Sequence, residues 1–172
     1  MDMKYRILLD DELPELYERI MADGLMWTLC PEYGDDMSKA EFLRLYRRDD
    51  CLVLGGFIDG ELAGFMVTWP YRRITQCAEI GLCAFRKWFG VAPRLCVGAL
   101  VWAFDYLDMV SMVGHVPAPN RHVLAMLEQV GFGKRCKIPG LIWYARKDCF
   151  VDGWLVMADR VSVITAKSIL EV

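Results

Sequence analysis

The 172-residue chain has only two histidines, His115 and His122, and no Cys-x-x-Cys pair, so the ligand spacing of a structural zinc site is missing and no metal is expected. It lacks the basic start and apolar stretch of a secretory leader, because MDMKYRILLDDELPELYERI turns acidic almost at once. No long apolar run is present either. Leu95 to Phe104 falls far short of the roughly 20 residues that cross a bilayer, so it reads as a buried helix and the protein as cytoplasmic, with no membrane partner. An excess of one charge is also lacking: the formal net charge is -3, which gives no global attraction to nucleic acid. The densest basic cluster, Lys134, Arg135 and Lys137, reads as a solvated strand surface. Cysteines are plentiful, at 30, 51, 77, 83, 96, 136 and 149, but they are odd in number and mostly sit inside apolar segments. Buried, reduced thiols fit that pattern better than a disulfide framework does.

What is present is apolar mass. With 55% hydrophobic residues, residues 1–172 suit one domain with a substantial core and are too few for two ordinary ones. Lys4 to Leu9 is a short strand, and Asp10 or Asp11 can cap a helix carrying Leu13, Leu16, Tyr17, Ile20 and Met21 at helical spacing, closed by Gly24. Ser38 and Glu41 form a capping box before Phe42, Leu45 and Tyr46. Between these helices, WTLCPEYGDDM is turn-rich and irregular, either a lid or a plain surface connection. CLVLGGFIDGELAGFMVTW is a hairpin turning at Asp59-Gly60, and a third strand follows from Ile74 to Phe85. The helix from Pro93 to about Asp108 is apolar nearly all round and must be covered on several sides, as a helix lying on a sheet is. Met109 to Val116 is a strand and Pro117 to Asn120 a turn. The next helix buries Val123, Met126, Leu127 and Val130 and is closed by Gly131. Two last strands, Gly133 to Lys147 and Trp154 to Asp159, are expected to be separated by a turn at Asp152-Gly153.

The loop FRKWFGVAPRL lies between a strand and a helix. Its backbone N–H groups and the helix N-terminus would converge there on an anion, with Gly90 allowing close approach and Lys87 supplying charge. The competing reading is a mere turn. The spacing is neither GxGxxG nor a P-loop.

The loop spacing and the order of elements together resemble the GCN5-related N-acetyltransferase (GNAT) family. Its pyrophosphate loop has Gln or Arg, two residues, Gly, one residue, then Gly or Ala, and Lys87-Trp88-Phe89-Gly90-Val91-Ala92 matches with lysine in first place. Asn120 to Ala125 and Leu127 to Gly131-Phe132 resemble the family's second cofactor-side segment, and FIDGELAGFMV and DGWLVMAD have its look. Divergent relatives of this kind also occur in bacteriophage genomes. The resemblance implies an α/β (α+β) fold, with a mixed, mostly antiparallel central sheet of about six to seven strands flanked by about four helices. It implies acetyl-coenzyme A as cosubstrate, its pyrophosphate on the amides of Trp88, Phe89, Gly90, Val91 and Ala92. Its pantetheine would pair with the strand edge at Leu82, Cys83 and Ala84 as an added strand would. Asn120 would hydrogen-bond the pantetheine region, or it is simply a helix cap.

Acetyl transfer to an amine by direct attack needs a neutral amine, donors for the developing oxyanion and a proton for the leaving thiolate. Glu79 is the only acid in CAEIGLCAF, an otherwise apolar strand, and AEI-x-x-CA is similar to the context of the general base in histone-type GNAT members. Burial would raise its pKa and improve it as a base, acting directly or through a water; the other reading is an exposed strand-edge glutamate. The family's usual acid, a tyrosine four residues before the terminal glycine, is replaced by Leu127; either the thiolate departs without an acid, as in some members, or another residue supplies it, with His122 and Tyr144 as remote candidates. Cys83 reads as a structural thiol, since no base stands at a recognisable spacing for an acetyl-cysteine route. The unidentified amine acceptor would be chosen by the loop between the first helices and by the last hairpin, with Trp27, Tyr33, Asp35, Asp36 and Trp143. The expected protein is a monomer or homodimer; the alternative is a GNAT-like binding or structural protein that has lost catalysis.

Overall fold

The computed structural model describes residues 1–72 and 76–170, with all of their side chains except those of 70–72. Strand β1 (Met3–Ile7) leads into helix α1 (Leu13–Ala22), whose Leu13, Leu16 and Ile20 form the buried stripe that their spacing predicts. The cap differs from expectation. Glu12, not Asp10 or Asp11, stands at the N-cap, because its carboxylate accepts the Leu9 N–H at 2.8 Å and both Arg6 guanidinium nitrogens at 2.7 Å. The segment expected to be irregular contains one short helix, α2 (Met26–Leu29). Helix α3 (Lys39–Tyr46) begins with the expected capping box: Ser38 Oγ accepts the Glu41 N–H at 3.2 Å and the Glu41 carboxylate accepts the Ser38 N–H at 3.1 Å.

Strands β2 (Leu52–Ile58) and β3 (Glu61–Arg72) form the predicted hairpin, with positive φ at Asp59 and Gly60. The start expected for the next strand, Ile74, lies outside the described residues; β4 itself runs Cys77–Ala84. A 3-10 turn (Arg86–Val91) then opens α4 (Ala92–Tyr106). The chain continues through β5 (Ser111–Pro117), α5 (Arg121–Gln129), β6 (Gly133–Tyr144) and β7 (Cys149–Asp159) to α6 (Arg160–Leu170). The seven strands pair in the order β1-β2-β3-β4-β5-β7-β6, antiparallel throughout except for β4 with β5.

Both faces of the sheet are covered. Val53, Phe65 and Val67 point into a core shared with α1, α2 and α3, while Leu54 and Met66 point into a core under α4, α5 and α6. This is the period-two alternation of strands buried on both faces. Met112, Val116, Val156 and Ala158 of β5 and β7 join the second core, so it runs unbroken beneath α4.

The turn expected at Asp152-Gly153 lies elsewhere. The chain reverses at Ala145–Lys147, where Asp148 takes a positive φ of 50°, and Asp152-Gly153 sits inside β7 opposite an irregularity of β6 between Ile138 and Ile142. The Asp152 carboxylate holds Lys137 at 2.6 Å and accepts the Gly140 N–H at 3.2 Å; a Cβ on residue 153 would lie 2.8 Å from Leu141 Cδ2. The pair thus serves close packing within the ladder. Among the basic cluster, Lys134 pairs with Glu128 and Lys137 with Asp152, as a solvated surface would have it. All seven cysteines are free, and although Cys30, Cys51 and Cys96 are buried, Cys136 and Cys149 are exposed. Among the described residues, no helix is long and apolar enough to cross a membrane.

Candidate active site

The parallel ladder between β4 and β5 is short. Cys77, Ala78 and Glu79 pair with Ser111, Met112 and Val113, and beyond them the strands part. Ile80 to Ala84 keep β3 on one side and, among the described residues, have no strand on the other. The gap is a cleft of about 430 Å³, walled by Ile80–Ala84 of β4, Gly114–Pro117 of β5, Val123, Met126 and Leu127 of α5, Leu29 at the end of α2, and Pro31 and Glu32 after it.

Glu79 stands at the apex, where the strands separate. Alternation puts Ala78 and Ile80 into the core under α4 and turns Glu79 to the opposite face; Met112 and Gly114 likewise leave His115 on that opposite face. The two side chains meet across the gap, with His115 Nδ1 2.7 Å from Glu79 Oε1. Glu79 is not buried as expected: its side chain is 39% exposed, because the cleft brings solvent to the apex.

A second acid shares the wall. Glu32 remains exposed by area, but it sits in a concave surface. Protein around its carboxyl displaces solvating water and, with the negative charge of Glu79, raises its pKa above the ordinary carboxylate value. The segment carrying Glu32 is fastened to the β6–β7 turn: Ala145 donates its N–H to Pro31 O at 3.0 Å, Arg146 pairs with Asp35 at 2.7 Å, and the same guanidinium lies 4.4 Å from the Trp27 ring centre. Asp35 is thereby committed to Arg146, and Trp143 packs on Phe150. Of the acids between the first helices, Glu32 is the one that lines the cleft.

The expected site residues divide into two groups. Glu79, Leu82, Cys83, Ala84, Phe89, Ala92 and Asn120 surround the cleft. Lys87, Trp88, Gly90 and Val91 do not line it. Lys87 forms a close ion pair with Glu61 and lies over the Trp88 ring; Trp88 and Val91 pack against the small core of Ile58, Ala63 and Leu95. Gly90 is exposed, its φ is not in the left-handed region, and a Cβ there would meet nothing within 4 Å. No turn geometry in the chain requires glycine at this position.

Asn120 is 3% exposed and occupies the N-cap position of α5, but its side chain caps nothing; instead Oδ1 accepts the Tyr144 hydroxyl at 3.3 Å. The helix-cap reading therefore does not hold for its side chain. Leu127, where the family's acid would stand, is buried in the cleft wall. Burial pushes the Cys83 thiol well up, which suits a structural thiol and not a nucleophile. His115 and Glu32 were not singled out from the sequence. The signal for His115 was the solitary ionisable side chain late in an apolar strand, but its meeting with Glu79 depends on a parallel register that sequence does not display.

No family model matches the sequence, and no curated protein matches it. Solved structures do. A chimera of spermidine N-acetyltransferase SpeG from Vibrio cholerae and hSSAT superposes with a TM-score of 0.78 over 95% of this chain and 99% of its own, at 16% identity. The Vibrio cholerae spermidine N-acetyltransferase in complex with CoA and spermine gives 0.75 over 94% and 98%, at 17% identity. The chain has the GNAT fold. A probable acetyltransferase agrees at 0.69 over 92% and 93%, at 18% identity. β4 and β5, with α4 between them in sequence, are the pair that parts, and α2 and α6 join the four flanking helices anticipated.

Proposed function

We propose that the chain is an acyl-coenzyme A-dependent N-acetyltransferase that moves an acetyl group to an amine by direct attack. The observation that carries this reading is the opening of the sheet after Glu79. It leaves one edge of Ile80–Ala84 free for an amide-bearing chain to add as a strand, with an ionisable pair at the closed end. The residues present fit acetyl-coenzyme A. Leu82, Cys83 and Ala84 would hold its pantetheine, Asn120 would approach it from the far wall, and the turn from Trp88 to Ala92 at the start of α4 would take the pyrophosphate on those amides not already donating, as Trp88 N–H does to Phe85 O and Ala92 N–H to Phe89 O. Gly90, which nothing in the chain requires to be glycine, keeps that surface low. When bound, the coenzyme supplies the activated acyl group; Glu79, in contact with His115, belongs to the pair that supplies basicity where the amine must lose its proton.

The carboxylates of Glu32 and Glu79 favour a cationic amine, and a fold neighbour holds spermine, so polyamines head the acceptor panel. We place the reaction in the cytoplasm, in one domain spanning residues 1–172, on a monomer or homodimer, with no nucleic acid or membrane involved. Leu127 in place of the usual acid favours a second reading, a GNAT-like binding protein without turnover. Calorimetric titration with acetyl-coenzyme A, followed by thiol-release assays with polyamines, aminoglycosides and peptide N-termini, separates them. Binding with turnover supports the enzyme, binding without turnover the second reading, and no binding removes both.

A further inference from the structure

Glu79 and His115 are each the sole Asp, Glu, Lys, Arg or His of their strands, β4 and β5, and they meet at the point where those strands part. Three observations bear on what the pair does. Their 2.7 Å contact runs through His115 Nδ1. Both side chains line the cleft and are about one-third exposed, 34% for His115 and 39% for Glu79. The ladder ends at Glu79 and Val113, so the contact joins the last paired residue of β4 to a residue of β5 two positions past the ladder. A carboxylate can only accept a hydrogen bond, so Nδ1 carries the hydrogen. In the neutral ring the lone pair then resides on Nε2, as in any imidazole oriented by a carboxylate.

We propose that His115 Nε2, not the Glu79 carboxylate, takes the proton from the acceptor amine, and that Glu79 is the positioning residue that fixes the ring's tautomer and balances the imidazolium. This rests on the acetyltransferase reading and deepens it. An ammonium R–NH3+ gives one proton to Nε2 and becomes the neutral nucleophile. Its nitrogen bonds to the acyl carbon, the C–S bond breaks with its electron pair on sulfur, and the new amide nitrogen loses its second proton to water. The imidazolium returns its proton to the thiolate. The sum is one ammonium and one thioester giving one amide, one thiol and one proton released to solvent. The step assigns a single group to both proton transfers, which accounts for an aliphatic Leu127 at the family's usual acid position. Among the described residues, the other ionisable groups lining the cleft are Glu32, before α3, Cys83, on β4, and His122, on α5.

The alternative to a relay is a pin that merely joins β4 to β5. His115→Asn decides between them, because its amide can still donate to Glu79 but has no lone pair equivalent to Nε2. A relay predicts that turnover falls about 10²- to 10⁴-fold with coenzyme affinity and melting temperature unchanged. A pin predicts turnover within about twofold of the parent, which would overturn the proposal. His115→Ala should be partly rescued by free imidazole, and Glu79→Gln combined with His115→Asn should cost little more than His115→Asn alone. Nitrogen-15 NMR of the ring reads the tautomer without any assay: Nδ1–H with an unprotonated Nε2 is expected, and Nε2–H overturns the dyad even in a protein that turns over no acceptor. If wild-type protein binds the coenzyme but acetylates nothing, the enzymatic reading fails and the proton route fails with it. The ring tautomer would then report a structural pair only.

Discussion

Glu32 is held in its wall at an energetic disadvantage, since burial and Glu79 both disfavour its charge. A carboxyl with a raised pKa stabilises the fold only while protonated, and that contribution is lost as pH rises through the folded-state value. Glu32→Gln is therefore expected to raise the melting temperature at pH 7 by up to about 2 °C, the gain being limited by solvent contact. The same change should weaken a polyamine acceptor, raising its KM several-fold while leaving coenzyme affinity alone. A melting temperature that falls would show that the charge is compensated by a partner. At Gly90, where a Cβ meets nothing, Gly90→Asp should leave thermal stability intact and weaken acetyl-coenzyme A binding at least about tenfold, through a negative charge placed against the pyrophosphate. Calorimetry with unchanged affinity would remove the loop from the site. These two residues also mark the limits of sequence reasoning. Gly90 was singled out as a candidate because loop spacing is local. Glu32 was not, because five nearby acids and aromatics look alike until the fold turns one of them into the cleft.

At the scale of elements, the Arg6–Glu12 fork joins β1 to the start of α1 and holds the Glu12 carboxyl down to about 2 from its ordinary 4.5. A depressed carboxyl contributes stability above its ordinary pKa and loses it as pH falls towards the folded value, so the contribution should fade between about pH 4.5 and 2. Both side chains reach solvent, so Glu12→Gln should cost no more than about 1 kcal/mol at neutral pH, read by urea unfolding, and nothing at pH 2. Gly131 closes α5 at φ 99°, and a Cβ there would lie 2.7 Å from Ser162 O. Gly131→Ala should thus cost about 2–3 kcal/mol, more than a turn glycine alone, because the clash is with the backbone of α6. The helix that causes it is one of two the sequence reading omitted. Asp159 accepts the Ser162 N–H at 2.8 Å and its own N–H donates to Ser162 Oγ at 3.1 Å, a reciprocal cap written as Asp-x-x-Ser, but the strand running directly into the helix hid the boundary. The hairpin at Asp59-Gly60, by contrast, was plain because turn and strands agree locally. The similar pair at Asp152-Gly153 misled because its role is packing against Leu141.

Over the whole molecule, the cluster beneath α4 draws on β2, β3, β4, β5, β7, α5 and α6, so the two sides of the parted sheet share one interior. Calorimetric unfolding is accordingly expected as a single transition, and two resolved transitions would mean that the sides fold apart. Yet in the sheet itself they are stitched by three residue pairs, Cys77–Glu79 with Ser111–Val113. A coenzyme lying along Ile80–Ala84 would extend that seam as an additional strand does. It would bind the folded chain and not the unfolded one, which links folding to its concentration. At one hundred times its dissociation constant the gain is about 2.7 kcal/mol, a large fraction of a typical domain's margin. The lifetime of this protein in a cell would then follow the supply of acyl donor: well-fed cells would keep it, and starved cells would expose it to their proteases.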